Sequence, residues 1–324
     1  DSTKAKAVNK PAPLATILFL AYNQQNFVAQ AALSCLEQQC EALEIIFSDD
    51  FSTDNTFAIL QELARNYHGP HQVTVRQNSR NLGIADHYNT LVKLARCELL
   101  ITAAGDDISY PQRAQTLIDA WRASNCKLDL IASHAHSITN EGQNTGKQVK
   151  VDQLANWHSI SDWCRKRPYV IGATHAFTKR IWTKFGDIAS DIPYEDQVIT
   201  LRALSMGGGA TLETPLLNYR QGGISAKELA QSSEAKRAQI YKRYSRQQAV
   251  FRQVHRDLET AGCAHLWTGK VERYLLRSDA ALWLLEAQAN GRMNLRRLIV
   301  EVRKCGFFWL LRQFAYTYLT FKKD

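Results

Sequence analysis

The chain has 324 residues, 45% of them hydrophobic and 22% charged, the balance of a folded soluble protein, with no low-complexity stretch and no internal repeat. Its seven cysteines are scattered, odd in number and without a CxxC pair, which argues against a disulfide framework or a zinc site and for a reducing compartment. The formal charge of +9 belongs to one end: residues 1–225 carry 21 Lys and Arg against 22 Asp and Glu, while residues 226–324 carry 19 against 9, an asymmetry that suits a tail meeting a polyanion.

Residues 1–13 read as a disordered lead-in with no apolar core of signal-peptide length, so a cytoplasmic home is the default. Leu14 to Leu20 is a nearly continuous apolar run, as expected for a strand buried on both faces of a parallel sheet. Residues 27–40 then show apolar positions at helical spacing. The apolar run Leu43 to Phe47 leads into Ser48-Asp49-Asp50-Phe51-Ser52-Thr53-Asp54, which offers N-cap residues to a helix over Thr56 to Tyr67. A third strand at Val73 to Val75 precedes the turn Asn78 to Gly83, residues 85–96 are helical in pattern, and a fourth strand over Glu98 to Thr102 ends at Ala103-Ala104-Gly105-Asp106-Asp107.

This β-α-β-α-β-α-β alternation predicts a parallel sheet flanked by helices with right-handed crossovers, and ligands of such sheets bind beyond the carboxyl ends of the strands. Tyr22-Asn23, Asp49-Asp50 and Asp106-Asp107 all fall at those ends. Adjacent carboxylates repel unless a cation or hydrogen-bond donors compensate them, and a hard divalent ion bridging a diphosphate is one natural compensator. A solvated acidic pair in a surface turn is the plainer alternative.

The order and spacing of Leu20-Ala21-Tyr22-Asn23, then Glu44 to Asp54, then Asn81-Leu82-Gly83-Ile84-Ala85 with Asn89, then Gly105-Asp106-Asp107 resemble glycosyltransferase family 2 over roughly residues 14–225. The resemblance implies a GT-A (Rossmann-like) α/β fold: a mixed, mostly parallel sheet flanked by helices, with a nucleotide-binding half at 14–110 and an acceptor half at 111–225. It implies that Leu20, Ala21, Tyr22, Asn23 and the Asp50 carboxylate hold the nucleotide base, that Asn81 and Gly83 shape the loop beside it, and that Asp106 meets the ribose or the metal. Asp107 would ligate Mn²⁺ or Mg²⁺ at the diphosphate. Many family members carry a further Asp two residues before the pair, where this chain has Ala104.

The second half of the site is expected near Gly172 to Phe177 and Phe185-Gly186-Asp187, followed by Tyr194-Glu195-Asp196-Gln197. By resemblance Asp196, with Glu195 second, deprotonates the acceptor hydroxyl, since an inverting displacement needs a base opposite the leaving diphosphate. The alternative is that these acids only stabilise the start of a helix over Gln197 to Leu204. Tyr219-Arg220 with Ser225 matches a family segment that closes over the diphosphate, and Arg suits phosphate. The family's His between them is absent; Gln221-Gly222-Gly223 stands there. His87, His134, His136 and His175 are scattered and read as structural or acceptor-site residues.

From a boundary near Ser225 the chain turns to long basic helical patterns. Residues 295–323 combine aromatic and aliphatic residues with Arg296, Arg297, Arg303, Lys304, Lys322 and Lys323, and Arg312 interrupts the apolar run Cys305 to Phe321. That pattern fits a helix lying in an anionic membrane surface at the inner face of the cytoplasmic membrane better than one spanning it; a helix packed on the catalytic domain or on a second subunit, giving a homo-oligomer, is the alternative.

The sequence therefore points to transfer of a hexosyl or N-acetylhexosaminyl group from a nucleotide diphosphate sugar, UDP-sugars first, to a glycan or lipid-linked glycan acceptor in cell-surface polysaccharide synthesis. Three competing readings remain. A nucleic-acid-binding protein lacks any recognised motif, and no nucleic-acid partner is expected. A nucleotidyltransferase would carry a Gly-rich basic loop, whereas residues 20–30 hold no Gly, Lys or Arg. A catalytically impaired GT-A-like binding protein is kept open by Ala104.

Overall fold

A computed structural model describes residues 12–221 and 233–321. The lead-in over 1–11, the boundary and contact expected at Ser225, and Lys322 and Lys323 lie outside the described residues. Two compact units emerge: one made by the chain up to Ser190 and again from Glu195 to the end of the sheet, the other by Asp191–Tyr194 and the C-terminal helices.

The first unit opens with β1 (Ala15–Ala21), α1 (Val28–Leu36), β2 (Glu44–Asp49), α2 (Thr56–Arg65), β3 (Gln72–Gln77), α3 (Gly83–Leu94) and β4 (Leu99–Ala104). These are the expected elements, with ends displaced by a few residues. Every residue of β1 and β2 is buried, as their unbroken apolar runs require of strands covered on both faces. Helix α1 stops short of Cys40 because Gln38 turns back into the fold: its amide donates to Ser34 O (2.8 Å) and Tyr110 O (2.9 Å) and its Oε1 accepts from Ala114 N (2.8 Å). Strand β4 runs two residues further than its β-branched core, as far as the backbone pairing with β1 at Leu20↔Ala104 continues.

The rest of the unit comprises β5 (Ile108–Ser109), α4 (Arg113–Ala123), β6 (Leu130–Ile138), β7 (Asn144–Val149), α5 (Ile160–Arg165), β8 (Ala176–Thr178), α6 (Arg180–Phe185), α7 (Glu195–Leu204) and β9 (Gly209–Arg220), with short 3₁₀ turns at Leu154–Asn156 and Gly172–Thr174. The sheet order is β3-β2-β1-β4-β8-β6-β9-β5, with β7 pairing β6. Among the described residues the pairings divide evenly: β1–β2, β1–β4, β2–β3 and β6–β9 are parallel, and β4–β8, β5–β9, β6–β7 and β6–β8 antiparallel. The sheet is thus mixed as expected, its first half parallel and its second half built by returning strands. The core gathers β1, β2 and β4 under α1 and α4, with Phe19 and Phe47 edge-to-face at 5.0 Å.

The second unit holds α8 (Ser233–Thr260), α9 (Thr268–Ala289), α10 (Leu295–Cys305) and α11 (Phe307–Phe321). A small core of Ala280, Trp283, Leu284 and Ala287 on α9 packs with Cys305 and Leu310.

The start of β6 is tied to β8, α6 and the turn before β9 by one carboxylate. Asp129, 1% exposed, accepts from Thr178 Oγ1, Arg180 Nε (2.6 Å) and Gly207 N (2.6 Å). Removing it strands three donors, so Asp129→Ala is expected to lower stability by about 3 kcal/mol in thermal or urea unfolding, against under about 0.5 kcal/mol for exposed Asp119→Ala.

Candidate functional site

The loops that leave β1 and β2 are stitched together. Asn23 adopts a left-handed backbone (φ 49°) that Asn tolerates, and there its N–H donates to Ser52 Oγ (2.8 Å) while its Oδ1 accepts from Thr53 N (2.8 Å). Gln25 N–H donates to Asp54 Oδ2 (3.0 Å) and Gln24 N–H to Thr56 Oγ1 (2.8 Å). Ser52, Thr53 and Asp54, the polar half of the segment that begins at Asp49, are thereby committed to loop geometry. Leu20 and Ala21 are buried at the strand end, and Tyr22 donates its N–H to Gln24 Oε1 (3.2 Å).

Asp49 and Asp50 do different work from one another. Asp49 is fully buried; its Oδ2 accepts from Ser52 N and Gln77 Nε2, both at 2.9 Å. Asp50, 4% exposed, organises the loop after β3: Oδ1 accepts from Asn78 Nδ2 (2.6 Å) and Leu82 N (2.8 Å), and Oδ2 from Gly83 N (2.9 Å). Asn81 is exposed and its Oδ1 accepts from Gly83 N (3.0 Å); Gly83 has φ 77°, which explains the glycine. Helix α3 starts there and is pinned by Asn89, which donates to Ile188 O (2.7 Å) and accepts from Trp182 Nε1 (3.0 Å).

Asp106 and Asp107 follow β4 in a turn whose neighbours are small. Gly105 N–H donates to Leu20 O (2.9 Å), and a side chain there would strike Gln24 Oε1 and, at 3.0 Å, Ala21 Cβ. Asp107 is 8% exposed, and its Oδ1 accepts from Arg220 N (2.9 Å). Burial raises both carboxyls, and the Asp106 charge raises Asp107 further; Gln24 and Arg220 only partly oppose this for Asp106.

Arg220 stands at the end of β9 beside this turn, but not as a side chain reaching outward. Nε donates to Asp106 O (2.8 Å), Nη1 to Thr139 O (3.0 Å) and Asn140 O (2.6 Å), and Nη2 to Gln30 Oε1 (3.2 Å), with the guanidinium 4.6 Å from the Phe27 ring centre. Four of about five N–H groups are therefore engaged inside the protein. Surrounded by the carbonyls of Asp106, Thr139 and Asn140, the Arg220 guanidinium braces the acidic turn at which its diphosphate contact is expected.

Sequence reasoning missed Arg113. It is 2% exposed at the start of α4, donating to Ser109 Oγ (2.9 Å), Thr102 O (2.8 Å) and Ala173 O (2.7 Å), which joins β4 to the 172–174 turn. Its one sequence signal is a cation six residues after the acidic pair. Of the histidines, His136 meets Tyr110 OH (2.7 Å), His87 meets Ser48 Oγ (2.7 Å), and burial holds His175 neutral, down to about 3. They form no metal cluster among the described residues.

Glu195 and Asp196 begin α7. Burial raises both, Asp196 to about 6; Glu195 goes to about 8 with Asp196 beside it as second cause. Gly172 leaves room for them: a Cβ there would lie 2.7 Å from Glu195 Oε1 and 3.5 Å from Asp196 Cβ. Tyr219 feels both ends of the site: its hydroxyl is pushed up to about 12, first by burial and then by Asp107, Asp106, Tyr169 and Asp196. Buried Tyr88, bonded to Thr102 Oγ1 (3.1 Å), is likewise raised by burial and by Glu195 and Asp196.

The Glycosyl transferase family 2 model matches residues 16–177. Over 176 residues, 54% of this chain and 24% of the other, the sequence is 31% identical to chondroitin synthase from Escherichia coli. The chain spans 24% to 36% of the length of this and two further curated relatives. Among solved structures, S. aureus TarS 1-349 in complex with UDP-GlcNAc superposes with a TM-score of 0.53 at 16% identity, covering 96% of this chain and 93% of that one. The mannosyltransferase PcManGT from Pyrobaculum calidifontis, in complex with GDP-Man and Mn²⁺, gives 0.52 at 17% identity, covering 95% and 86%.

Because Asp50 accepts from both the Leu82 and Gly83 amides, Asp50→Ala should raise hydrogen exchange across residues 78–83 at least ~10-fold while leaving β1 and β2 protected. Unchanged exchange in that loop would show that Asp50 does not hold it.

Proposed function

The chain belongs to glycosyltransferase family 2 and has the GT-A fold, and from that premise we propose that it transfers a sugar from a nucleotide diphosphate sugar to a glycan hydroxyl with inversion at the anomeric carbon. One observation carries this reading: an acidic pair at the end of β4, Asp106-Asp107, stands near a second, Glu195-Asp196, since Arg113 bonds both Thr102 O of β4 and Ala173 O in the turn whose Gly172 lies against Glu195 and Asp196.

The first pair fits a hard cation. Its donors are carboxylate oxygens, its neighbours Ala103, Ala104 and Gly105 are small, and both carboxyls are raised by burial in a way that a divalent charge would reverse. Asp107 with Asp106 would hold Mn²⁺ or Mg²⁺ against the diphosphate, where such an ion neutralises charge on the leaving group. With Ala104 in place of an acid, the protein supplies two carboxylates rather than three. Leu20, Ala21, Tyr22 and Asn23, with Asp50 holding the Leu82 and Gly83 amides beside Asn81, form the floor proposed for the base and ribose of a UDP-sugar. Arg220 fixes the Asp107 carboxyl through its own amide.

The second pair supplies the base. At neutral pH Asp196 is ionised and Glu195 largely holds its proton, so Asp196 takes the proton of the acceptor hydroxyl while Glu195 is positioned against Gly172. The acceptor proposed is a glycan or a lipid-linked glycan in cell-surface polysaccharide synthesis, the donor sugar hexosyl or N-acetylhexosaminyl. Such an acceptor places the chain in the cytoplasm, peripheral at the inner face of the membrane.

Asp107→Ala and Asp196→Ala should each reduce turnover by about 10³-fold or more, but only Asp107→Ala should remove Mn²⁺-dependent binding of the donor by calorimetry. Full turnover in the Asp196 variant would sink the base assignment. A raised carboxylate is lost as a base when pH falls through its folded value. With donor saturating, kcat should therefore drop below a midpoint near 6, and a rate flat from pH 5 to 8 would contradict that role (the window being on the order of one unit either side of the midpoint).

A further inference from the structure

Helices α10 and α11 are apolar on two sides. On one side Leu298 and Cys305 of α10, with Leu310 and Phe314 of α11, pack onto Ala280, Trp283, Leu284 and Ala287 of α9. The opposite side is also apolar, and it is exposed: Leu295 (68%), Ile299 (49%) and Val300 on α10, Phe307 (57%), Phe308 (84%) and Leu311 (53%) on α11. At 100° per residue Leu295 and Ile299 share a stripe of α10, and Phe307 and Leu311 share one of α11, with Phe308 beside it. Large apolar side chains so exposed and so grouped mark a surface that something covers.

The charges decide what covers it. Residues 291–321 contain six basic residues (Arg292, Arg296, Arg297, Arg303, Lys304, Arg312) and one acid, Glu301. Glu301 is buried and paired with Arg297 at 3.8 Å, so it does not face outward. Arg296, Arg303, Lys304 and Arg312 are exposed between and beside the apolar side chains. The exposed acids Asp279 and Glu286 of α9 share a groove with Arg297 and Lys304, so a second copy docked about a two-fold axis would still lay Arg296, Arg303 and Arg312 against like charges. Nucleic acid would satisfy the cations but not Phe308 and Leu311. An anionic bilayer surface satisfies both, with apolar side chains at the acyl boundary and Arg and Lys reaching its phosphates. No described helix is long and apolar enough to cross a membrane, which fits a chain lying on the surface.

We propose that the outer face of α10 and α11, centred on Phe308, Leu311 and Ile299 and rimmed by Arg296, Arg303, Lys304 and Arg312, is a docking surface for anionic phospholipid bilayers. The proposal stands apart from the transferase reading, since vesicle binding is measured without donor or acceptor.

The test is flotation of the full chain with vesicles of phosphatidylcholine alone or with about a quarter phosphatidylglycerol, where the wild type should partition at least ~10-fold more onto the anionic vesicles and lose binding as salt rises. Phe308→Glu with Leu311→Glu changes exposed residues only and should reduce that partition ~10-fold at unchanged helical circular dichroism. Should that variant misfold, Arg303→Glu with Lys304→Glu takes its place with the same expectation. A wild type that ignores both vesicles, binds both alike, or keeps full binding in these variants overturns the proposal. So does a wild-type dimer that the Phe308/Leu311 variant dissociates, which would assign the face to a second copy.

Discussion

Two neighbouring carboxylates taken out of water repel each other, and the end of β4 is arranged around that repulsion. Asp106 and Asp107 sit where β4 stops pairing with β1, with Asp107 almost wholly buried. The protein offsets only part of the cost: one amide from Arg220 reaches Asp107, and a carbonyl of the same turn is tied to the Arg220 guanidinium. Arg113, itself buried, adds attraction toward Asp107. What remains uncompensated shows as carboxyls held above their usual range, a cost that a bound cation would remove.

The loops around the acidic turn are tied to one another. Asn23 and Ser52 lock the first two crossover loops to each other, and Asp50 gathers the amides before α3. These bonds are mostly side chain to backbone, so they fix the chain's path while leaving the site's own groups for a ligand. Gly105 and Gly172 perform the same service by absence of a side chain: one admits Gln24 and the other admits Glu195. Asp106, Asp107 and Asp196 all act on the Tyr219 hydroxyl, so the proposed donor and acceptor sides lie near one another.

Much of the first half was legible because its signals are local. Apolar runs bounded by polar clusters placed β1, β2 and β4, and their alternation with helices implied the parallel order. The second half was less so, since β8 spans three residues and β5 two, lengths too short for periodicity. Their pairing is set by distant partners, β4 and β6 for β8 (Leu99↔Thr178, Leu130↔Phe177) and β9 for β5 (Ile108↔Asn218). Side-chain direction was the other limit. Arg220 matched a motif, yet its carbonyl partners at Thr139 and Asn140 come from a β6–β7 connection no local pattern reveals. In the C-terminal region the sequence foretold one basic, apolar helix where the structure has two, parted at Gly306, and only packing shows which face α9 covers.

The most direct measurement is thermal unfolding of the full chain against a panel of nucleotide diphosphate sugars, each with Mn²⁺ or with chelator. If the acidic turn is a metal and donor site, one donor class should raise the midpoint in Mn²⁺, by an amount equivalent to about 2.7 kcal/mol at a hundredfold excess over Kd, and should lose that effect in chelator. A panel with no stabilising member, or a stabilisation indifferent to the metal, would contradict it.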